Sequence, residues 1–259
     1  MIKATFTVGL LMVLSFHVFG QTRADANFEL YVLIGQSNMA GRGQMTAEFE
    51  KMEHPRVYMW NAAGQWVPAK HPVHFDKPKY AAVGPGLAFG MGMAEANPKV
   101  KVGLIPCAVG GTSIEQWTPG AYDEKSKAHP FDDAILRIRA AMKYGFIKGV
   151  IWHQGESNSS EKKSRTYLNR LDTLVNRIRA EVGDPKLPFV AGELGRYRER
   201  YAIINSLLAK VPGIIPFTGV VSSEGLVHMG DSTHFDGASA TRLGHRYAEK
   251  MIEMHRGKN

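Results

Sequence analysis

Short apolar runs alternate with stretches of helical periodicity along this chain, and this alternation limits the available folds more than any other feature. Five runs have the length and the β-branched and aromatic content of buried strands. They cover residues 28–34, 100–106, 147–152, 187–191 and 214–222. Strands that alternate with helices form a parallel sheet covered on both faces. The sequence therefore predicts an α/β domain of three layers, α/β/α, around a central sheet of five parallel strands.

Helix signals lie between and after these runs. Gly84-Pro85 is a typical helix start, Gly183 a typical stop, and Asp236 a typical N-cap. Helices are predicted at residues 84–96, 131–144, 168–182, 197–211 and 237–254. Residues 57–60 and 66–67 are expected to form a short surface hairpin.

The first twenty residues are typical of a secretory signal peptide. Lys3 supplies a positive charge, Ala4 to Phe19 is mostly apolar, and Val18 and Gly20 suit the −3 and −1 positions of a cleavage site. The apolar stretch is shorter than the ~20 residues of a comfortable membrane span. We expect residues 1–20 to be a leader, residues 21–259 to form one domain, and the mature protein to be exported and free of the membrane. An uncleaved anchor or a buried helix are the alternatives.

Composition narrows the partners. Lys plus Arg is 32 against 24 for Asp plus Glu, a formal charge of +8. Such an excess binds nucleic acid when it is clustered, but here the basic residues are scattered, so we expect no nucleic-acid partner. Cys107 is the only cysteine in the sequence, which excludes an intramolecular disulfide and a cysteine-only zinc site. We expect neither a metal nor a cofactor.

Side chains suited to acyl transfer follow the predicted strands, where parallel α/β sheets bind ligands. Ser37 follows the first strand, in the turn of residues 35–41. A serine in such a turn commonly caps a helix, and it acts as a nucleophile only with a base in reach. The base candidate is His234, and Asp231 precedes it by three positions, which lets the carboxylate orient the imidazole. Glycines 110 and 111 and Gln154, each after a strand, are candidate donors to an oxyanion.

Other histidines and the tryptophans are assigned more broadly. His228 is close enough in sequence to belong to the site, whereas His153, at a strand end, is expected to support the structure. His245 and His255 are expected to be solvated helix positions. Three tryptophans have two possible roles, either stacking on sugar rings or packing in the core. They are Trp60, Trp66 and Trp117.

Four ordered segments together resemble the carbohydrate-esterase branch of the SGNH hydrolases. They are GQSNMAG at residues 35–41, CAVGGTSIEQW at 107–117, HQGESN at 153–158 and DSTHFD at 231–236. That branch holds enzymes like sialate O-acetylesterases and like the acetylxylan esterases of carbohydrate esterase family 6. The resemblance runs from about Asn27 to Arg256 and implies a flavodoxin-like three-layer domain.

The resemblance also implies roles for individual residues. Ser37 is the nucleophile, His234 the general base and Asp231 its orienting acid. The oxyanion hole comprises the N–H groups of Ser37 and Gly111 and the Gln154 side chain, which stands where the parent superfamily has asparagine. Residues expected to support the site from behind are Gln36, Asn38, Gly110, His153 and Glu156. Whether Glu156 shares the acid role with Asp231 stays open.

The expected function is that of a secreted, metal-independent serine esterase acting through an acetyl-enzyme. Its expected substrate is an O-acetylated carbohydrate: acetylated xylan, a related polysaccharide, or O-acetylated sialic acid. Two alternatives are a carbohydrate-binding relative without catalysis and a lipase or thioesterase that uses the same triad.

Overall fold

The computed structural model describes Met1 and residues 24–257. Apart from Met1, the predicted leader lies outside the described residues. The strands are β1 (Phe28–Gly35), β2 (Val57–Trp60), β3 (Trp66–Pro68), β4 (Lys101–Pro106), β5 (Phe146–His153), β6 (Phe189–Gly192) and β7 (Thr218–Val221). The helices are α1 (Ser37–Ala40), α2 (Ala47–Glu50), α3 (Gly86–Ala96), α4 (Pro130–Ala141), α5 (Glu161–Ser164), α6 (Tyr167–Val182), α7 (Tyr201–Leu208), α8 (Val211–Ile214) and α9 (Gly237–Arg256).

The strands form one seven-stranded sheet in the order β3-β2-β4-β1-β5-β6-β7. The predicted α/β class is confirmed, but the predicted count of five strands and the purely parallel sheet are wrong. The segment expected as a surface hairpin joins the sheet: β2 pairs in parallel with β4, and β3 pairs antiparallel with β2. Val57, at the start of β2, is fully buried. The pattern of a short apolar segment does not indicate which strand it pairs with, so the sequence did not predict that this hairpin joins the sheet.

Helices cover both faces of the sheet. The core on one face includes Ile138 of α4, Ile178 of α6 and Ile204 of α7. The core on the other face includes Leu87 of α3 and Leu243 of α9. The three tryptophans predicted either to stack on sugars or to pack in the core belong to the first core. Trp60 and Trp117 are buried in it, and half-buried Trp66 packs against it.

One helix and one strand are shorter in the structure than the sequence predicts. The helix predicted at residues 197–211 is shorter, Tyr201–Leu208, and Pro212 stands near the start of the separate helix α8. The strand predicted at residues 214–222 begins only at Thr218, because Phe217 before it has a left-handed φ of 55°. The N-cap at Asp236 is confirmed, since its side chain accepts a hydrogen bond from Ser239 N at 2.7 Å.

The carboxyl end of β1 lies at the centre of the sheet, between β4 and β5. The chain leaves β1 for strands on one side and later returns to build the other side, which makes this end the point where α/β sheets open a crevice for ligands. Gly35 ends β1 with a φ of 131°. A Cβ atom there would collide with the main chain of His153 in β5, so only glycine lets the chain turn into α1 at this place.

No helix within residues 24–257 combines the length and apolar character of a membrane span.

Gly35→Ala is expected to destabilise the protein by about 2 kcal/mol or more, because a side chain here meets both a strained backbone and a neighbouring strand. Gly213→Ala is the control, since nothing lies near its added Cβ atom and its φ is ordinary. Urea unfolding of both variants measures the difference. Equal midpoints for the two variants would contradict the account of Gly35.

Candidate active site

Three side chains that are far apart in sequence form one hydrogen-bonded chain. His234 Nε2 lies 2.9 Å from Ser37 Oγ, and His234 Nδ1 lies 2.6 Å from Asp231 Oδ2. An ionised carboxylate only accepts hydrogen bonds, so the imidazole proton resides on Nδ1 and the Nε2 lone pair faces the serine hydroxyl. This is the arrangement in which an imidazole withdraws the proton of a serine.

Asp231 is held in place by its own loop. Its Oδ1 accepts from the main-chain N–H groups of Thr233 and His234, each at 2.8 Å. Partial burial raises the pKa of Asp231, but the hydrogen bonds from the His234 main chain and side chain and from the Thr233 N–H outweigh it and lower that pKa below its usual value. The carboxylate therefore stays ionised at neutral pH.

Asn38 holds the main chain on both sides of His234. Its Oδ1 accepts from Phe235 N at 3.0 Å, and its Nδ2 donates to Thr233 O at 3.0 Å. The second Nδ2 proton goes to Glu156 Oε1 at 2.5 Å. One carboxamide next to Ser37 thus positions the histidine loop, and Glu156 fixes which way that carboxamide faces.

Glu156 and His153 lie behind this arrangement as a buried pair. Burial raises the pKa of Glu156 to about 7, although the Asn38 hydrogen bond opposes the shift. Burial lowers the pKa of His153 to about 3, so this ring is neutral. Tyr247 donates its hydroxyl proton to Trp152 O and therefore accepts from His153 Nδ1, which leaves His153 Nε2 as a lone pair 3.9 Å from Glu156 Oε1.

The hydrogen-bonded side chains of Ser37 and His234 line a cavity of ≈ 580 Å³. Its lining includes four of the predicted positions, Gln36, Gly110, Gly111 and Glu156, together with Ser37 and His234. Within the described residues, the N–H groups of Ser37 and Gly111 donate to no protein acceptor. Two unpaired main-chain donors beside a serine are the components of an oxyanion hole.

Gln154 lies behind the cavity wall. It is fully buried, and its Nε2 lies 2.7 Å from Asn158 Oδ1, 3.2 Å from Gln36 Oε1 and 3.3 Å from Thr112 O. The amide therefore joins the loops after β1, β4 and β5, while its Oε1 has no hydrogen-bond partner.

The remaining predicted residues take structural positions. His228 Nδ1 accepts from Gly230 N and Ser232 N and so shapes the loop before His234. His245 is exposed, as predicted. His255 is a partly exposed helix position that also stacks on Tyr31 and contacts Lys148 O. Cys107 is buried beside the glycine loop, and burial raises the pKa of its thiol to about 11.

Five residues of the cavity lie outside the four segments that carry the family resemblance and were not predicted as site residues. They are Arg42, Lys77, Tyr80, Arg200 and Tyr201. Lys77 and Tyr80 come from the irregular segment between β3 and α3, and Arg200 immediately precedes α7. None follows a predicted strand directly, which was the signal used to find the other residues. Among residues 24–257 no group of three His, Cys, Asp or Glu side chains is arranged to hold a metal ion.

A family model described as carbohydrate esterase, sialic acid-specific acetylesterase matches residues 27–253. The chain belongs to this carbohydrate esterase family. The esterase is therefore a carboxylic ester hydrolase.

Relatives of this esterase agree in sequence and in fold. A probable carbohydrate esterase from Arabidopsis thaliana is 28% identical over 254 residues, which cover 86% of this chain and 90% of the relative. A crystal structure of an Arabidopsis thaliana protein superposes with a TM-score of 0.77 at 26% identity, covering 88% of this chain and 99% of that one. NanS shares the fold, with a TM-score of 0.73 at 17% identity and coverage of 90% and 99%.

Glu156 makes the stability of this esterase depend on pH. Because its pKa is raised from 4.5 to about 7 on folding, its contribution to stability is fully present below the lower value and is lost as pH rises through the higher one. We expect the melting temperature of wild type minus that of Glu156→Gln to fall between pH 4.5 and pH 8. The other titratable groups are the same in both proteins, so a constant difference in melting temperature across this pH range would refute the raised pKa of Glu156.

Proposed function

We propose that this esterase is exported and removes O-acetyl groups from carbohydrates, with Ser37 as nucleophile, His234 as general base and Asp231 as the acid that orients it. The observation that carries the proposal is the unbroken chain from Ser37 Oγ through His234 to Asp231, at 2.9 Å and 2.6 Å, beside two unpaired main-chain N–H groups. Export rests on the leader-like residues 1–20.

The reaction runs in two steps. Ser37 Oγ bonds to the acetyl carbon while its proton passes to His234 Nε2, and the carbonyl oxygen becomes an oxyanion held by the Ser37 and Gly111 N–H groups. The bond to the sugar oxygen then breaks as His234 returns the proton to that oxygen. Water attacks the acetyl-enzyme in the same way, releasing acetate and restoring Ser37. We assign Gln154 to supporting the loops around the oxyanion hole rather than to donating to the oxyanion, because its amide nitrogen already contacts three protein acceptors.

The acid assignment follows from contacts. Asp231 touches the His234 ring, whereas Glu156 touches Asn38. Glu156 thus acts on the histidine through the loop that Asn38 holds, and we propose no shared acid role for it.

The cavity favours carbohydrate over a long acyl chain. Its wall includes the side chains of Arg42, Lys77 and Arg200, and cationic groups are poor surroundings for a hydrocarbon tail. This disfavours a lipase or thioesterase. A binding relative without catalysis is disfavoured because all three triad side chains are present and in hydrogen-bond contact.

Ser37→Ala is expected to abolish hydrolysis of 4-nitrophenyl acetate and acetate release from acetylated xylan and O-acetylated sialic acid. Asp231→Asn is expected to lower kcat by about 10²–10⁴-fold, because the one amide oxygen stays on the Thr233 and His234 N–H groups and the NH2 group then faces His234 Nδ1, which favours the wrong tautomer. Comparing acetate release from the two carbohydrates identifies the preferred substrate. Undiminished hydrolysis by Ser37→Ala would overturn the proposal.

Tyr80 is the aromatic side chain we assign to sugar binding. It lines the cavity and is 67% exposed, so its ring is free to pack on the apolar face of a sugar. We expect Tyr80→Ala to raise KM for an acetylated oligosaccharide while leaving hydrolysis of 4-nitrophenyl acetate unchanged. Tyr122→Ala is the control, because Tyr122 is also exposed, at 42%, and is absent from the cavity lining. Equal KM values for the two variants would refute this role.

A further inference from the structure

Two consecutive residues hold both polar groups of the Gly110 main chain. Asp76 Oδ2 accepts from Gly110 N at 2.8 Å, and Lys77 Nζ donates to Gly110 O at 2.8 Å. A Cβ atom on Gly110 would collide with the Arg42 guanidinium, so the close approach of these side chains requires glycine. Gly110 is in this way fixed by charged groups on both sides.

These hydrogen bonds to Gly110 set the direction of the Gly111 N–H group. The carbonyl of Gly110 and the N–H of Gly111 belong to one planar trans peptide, in which they point in opposite directions. Since Lys77 draws the carbonyl to one side, the Gly111 N–H points to the other. A hydrogen bond on the carbonyl also polarises the peptide and strengthens its N–H as a donor.

Arg42 ties this loop to the turn that carries Ser37. Its Nη1 donates to Gly41 O at 2.6 Å, at the end of that turn, and its Nη2 donates to Asp76 Oδ2 at 3.0 Å. The ion pair is well shielded, since only 10% of the Arg42 side chain and 2% of the Asp76 side chain are exposed. The turn of the first N–H donor and the loop of the second are therefore joined through one buried carboxylate.

We propose that Asp76 and Lys77 are positioning residues of the oxyanion hole: they orient the Gly110–Gly111 peptide so that its N–H faces the carbonyl oxygen of the bound ester. This inference rests on the proposed function. It assigns a role to a segment between β3 and α3 that carries none of the triad residues.

Lys77→Met tests the proposal, because the side chain keeps its approximate length and loses its hydrogen-bond donor. Removing an oxyanion donor outright costs about 10²–10³-fold in kcat, so misdirecting one is expected to cost about tenfold or more. KM for 4-nitrophenyl acetate should stay within about twofold. Lys77→Arg should recover most of kcat, since it restores a donor. Lys79→Met is the matched control, as it removes an exposed charge of the same segment outside the cavity lining.

A second measurement does not need activity. The amide resonance of Gly111 in a ¹⁵N–¹H spectrum reports the hydrogen bond on its own peptide, so it should move in Lys77→Met, largely return in Lys77→Arg and stay fixed in Lys79→Met. An unmoved resonance in Lys77→Met overturns the proposal, as does an unchanged kcat. A rise in KM with constant kcat also overturns it, because Lys77 would then bind substrate directly.

The same data separate this proposal from the proposed function. If wild type does not hydrolyse acetyl esters, the proposed function is wrong, and the Gly111 resonance still decides whether Lys77 orients the peptide. If wild type is active and Ser37→Ala is not, the proposed function stands whatever Lys77→Met does.

Discussion

The end of the central strand β1 is the constraint on which the rest of the site depends. Gly35 turns there against the main chain of His153, at a distance that excludes any side chain. That contact fixes where α1 begins and so where Ser37 and Asn38 lie. The loops after β4 and β5 end beside it because neighbouring parallel strands finish at the same edge. The fourth contributor, the loop before α9, is brought in by Asn38, which bonds to the main chain on both sides of His234.

Environment divides the charged groups of the site into separate roles. Asp231 receives three hydrogen bonds and has a lowered pKa, so it is the permanent anion beside His234. Glu156 is buried, and burial outweighs its hydrogen bond from Asn38, so its raised pKa keeps it partly neutral near pH 7. Arg42 and Lys77 contact Asp76 and the Gly110 carbonyl at the glycine loop. The cavity thus has its anion Asp231 beside His234 and these two cations at the loop that we propose as part of the oxyanion hole.

Residues that follow strands could be predicted from the sequence, whereas residues in irregular segments could not. Ser37, Gly111, Gln154 and His234 were found because each follows an apolar strand, and the ends of parallel strands converge. Asp76, Lys77 and Tyr80 were missed because they belong to an irregular segment, where neither periodicity nor strand order predicts position. The tryptophans show a related limit: their residue type fits both a sugar platform and a core, and packing against the sheet decided for the core. The hairpin β2–β3 joined the sheet through hydrogen bonds to β4 that no local pattern encodes.

The amino-acid sequence by itself determined the α/β class, the order of the main strands and helices, and the set of residues that we propose for acyl transfer. These follow from local properties: apolar periodicity, turn and capping residues, and the chemistry of single side chains. Only the tertiary structure decided that β2 and β3 join the sheet, that Asp231 rather than Glu156 contacts the histidine, and that Asp76 and Lys77 bind the Gly110 main chain. These depend on distances between segments that are remote along the chain, and such distances are set by packing, which a one-dimensional pattern does not contain.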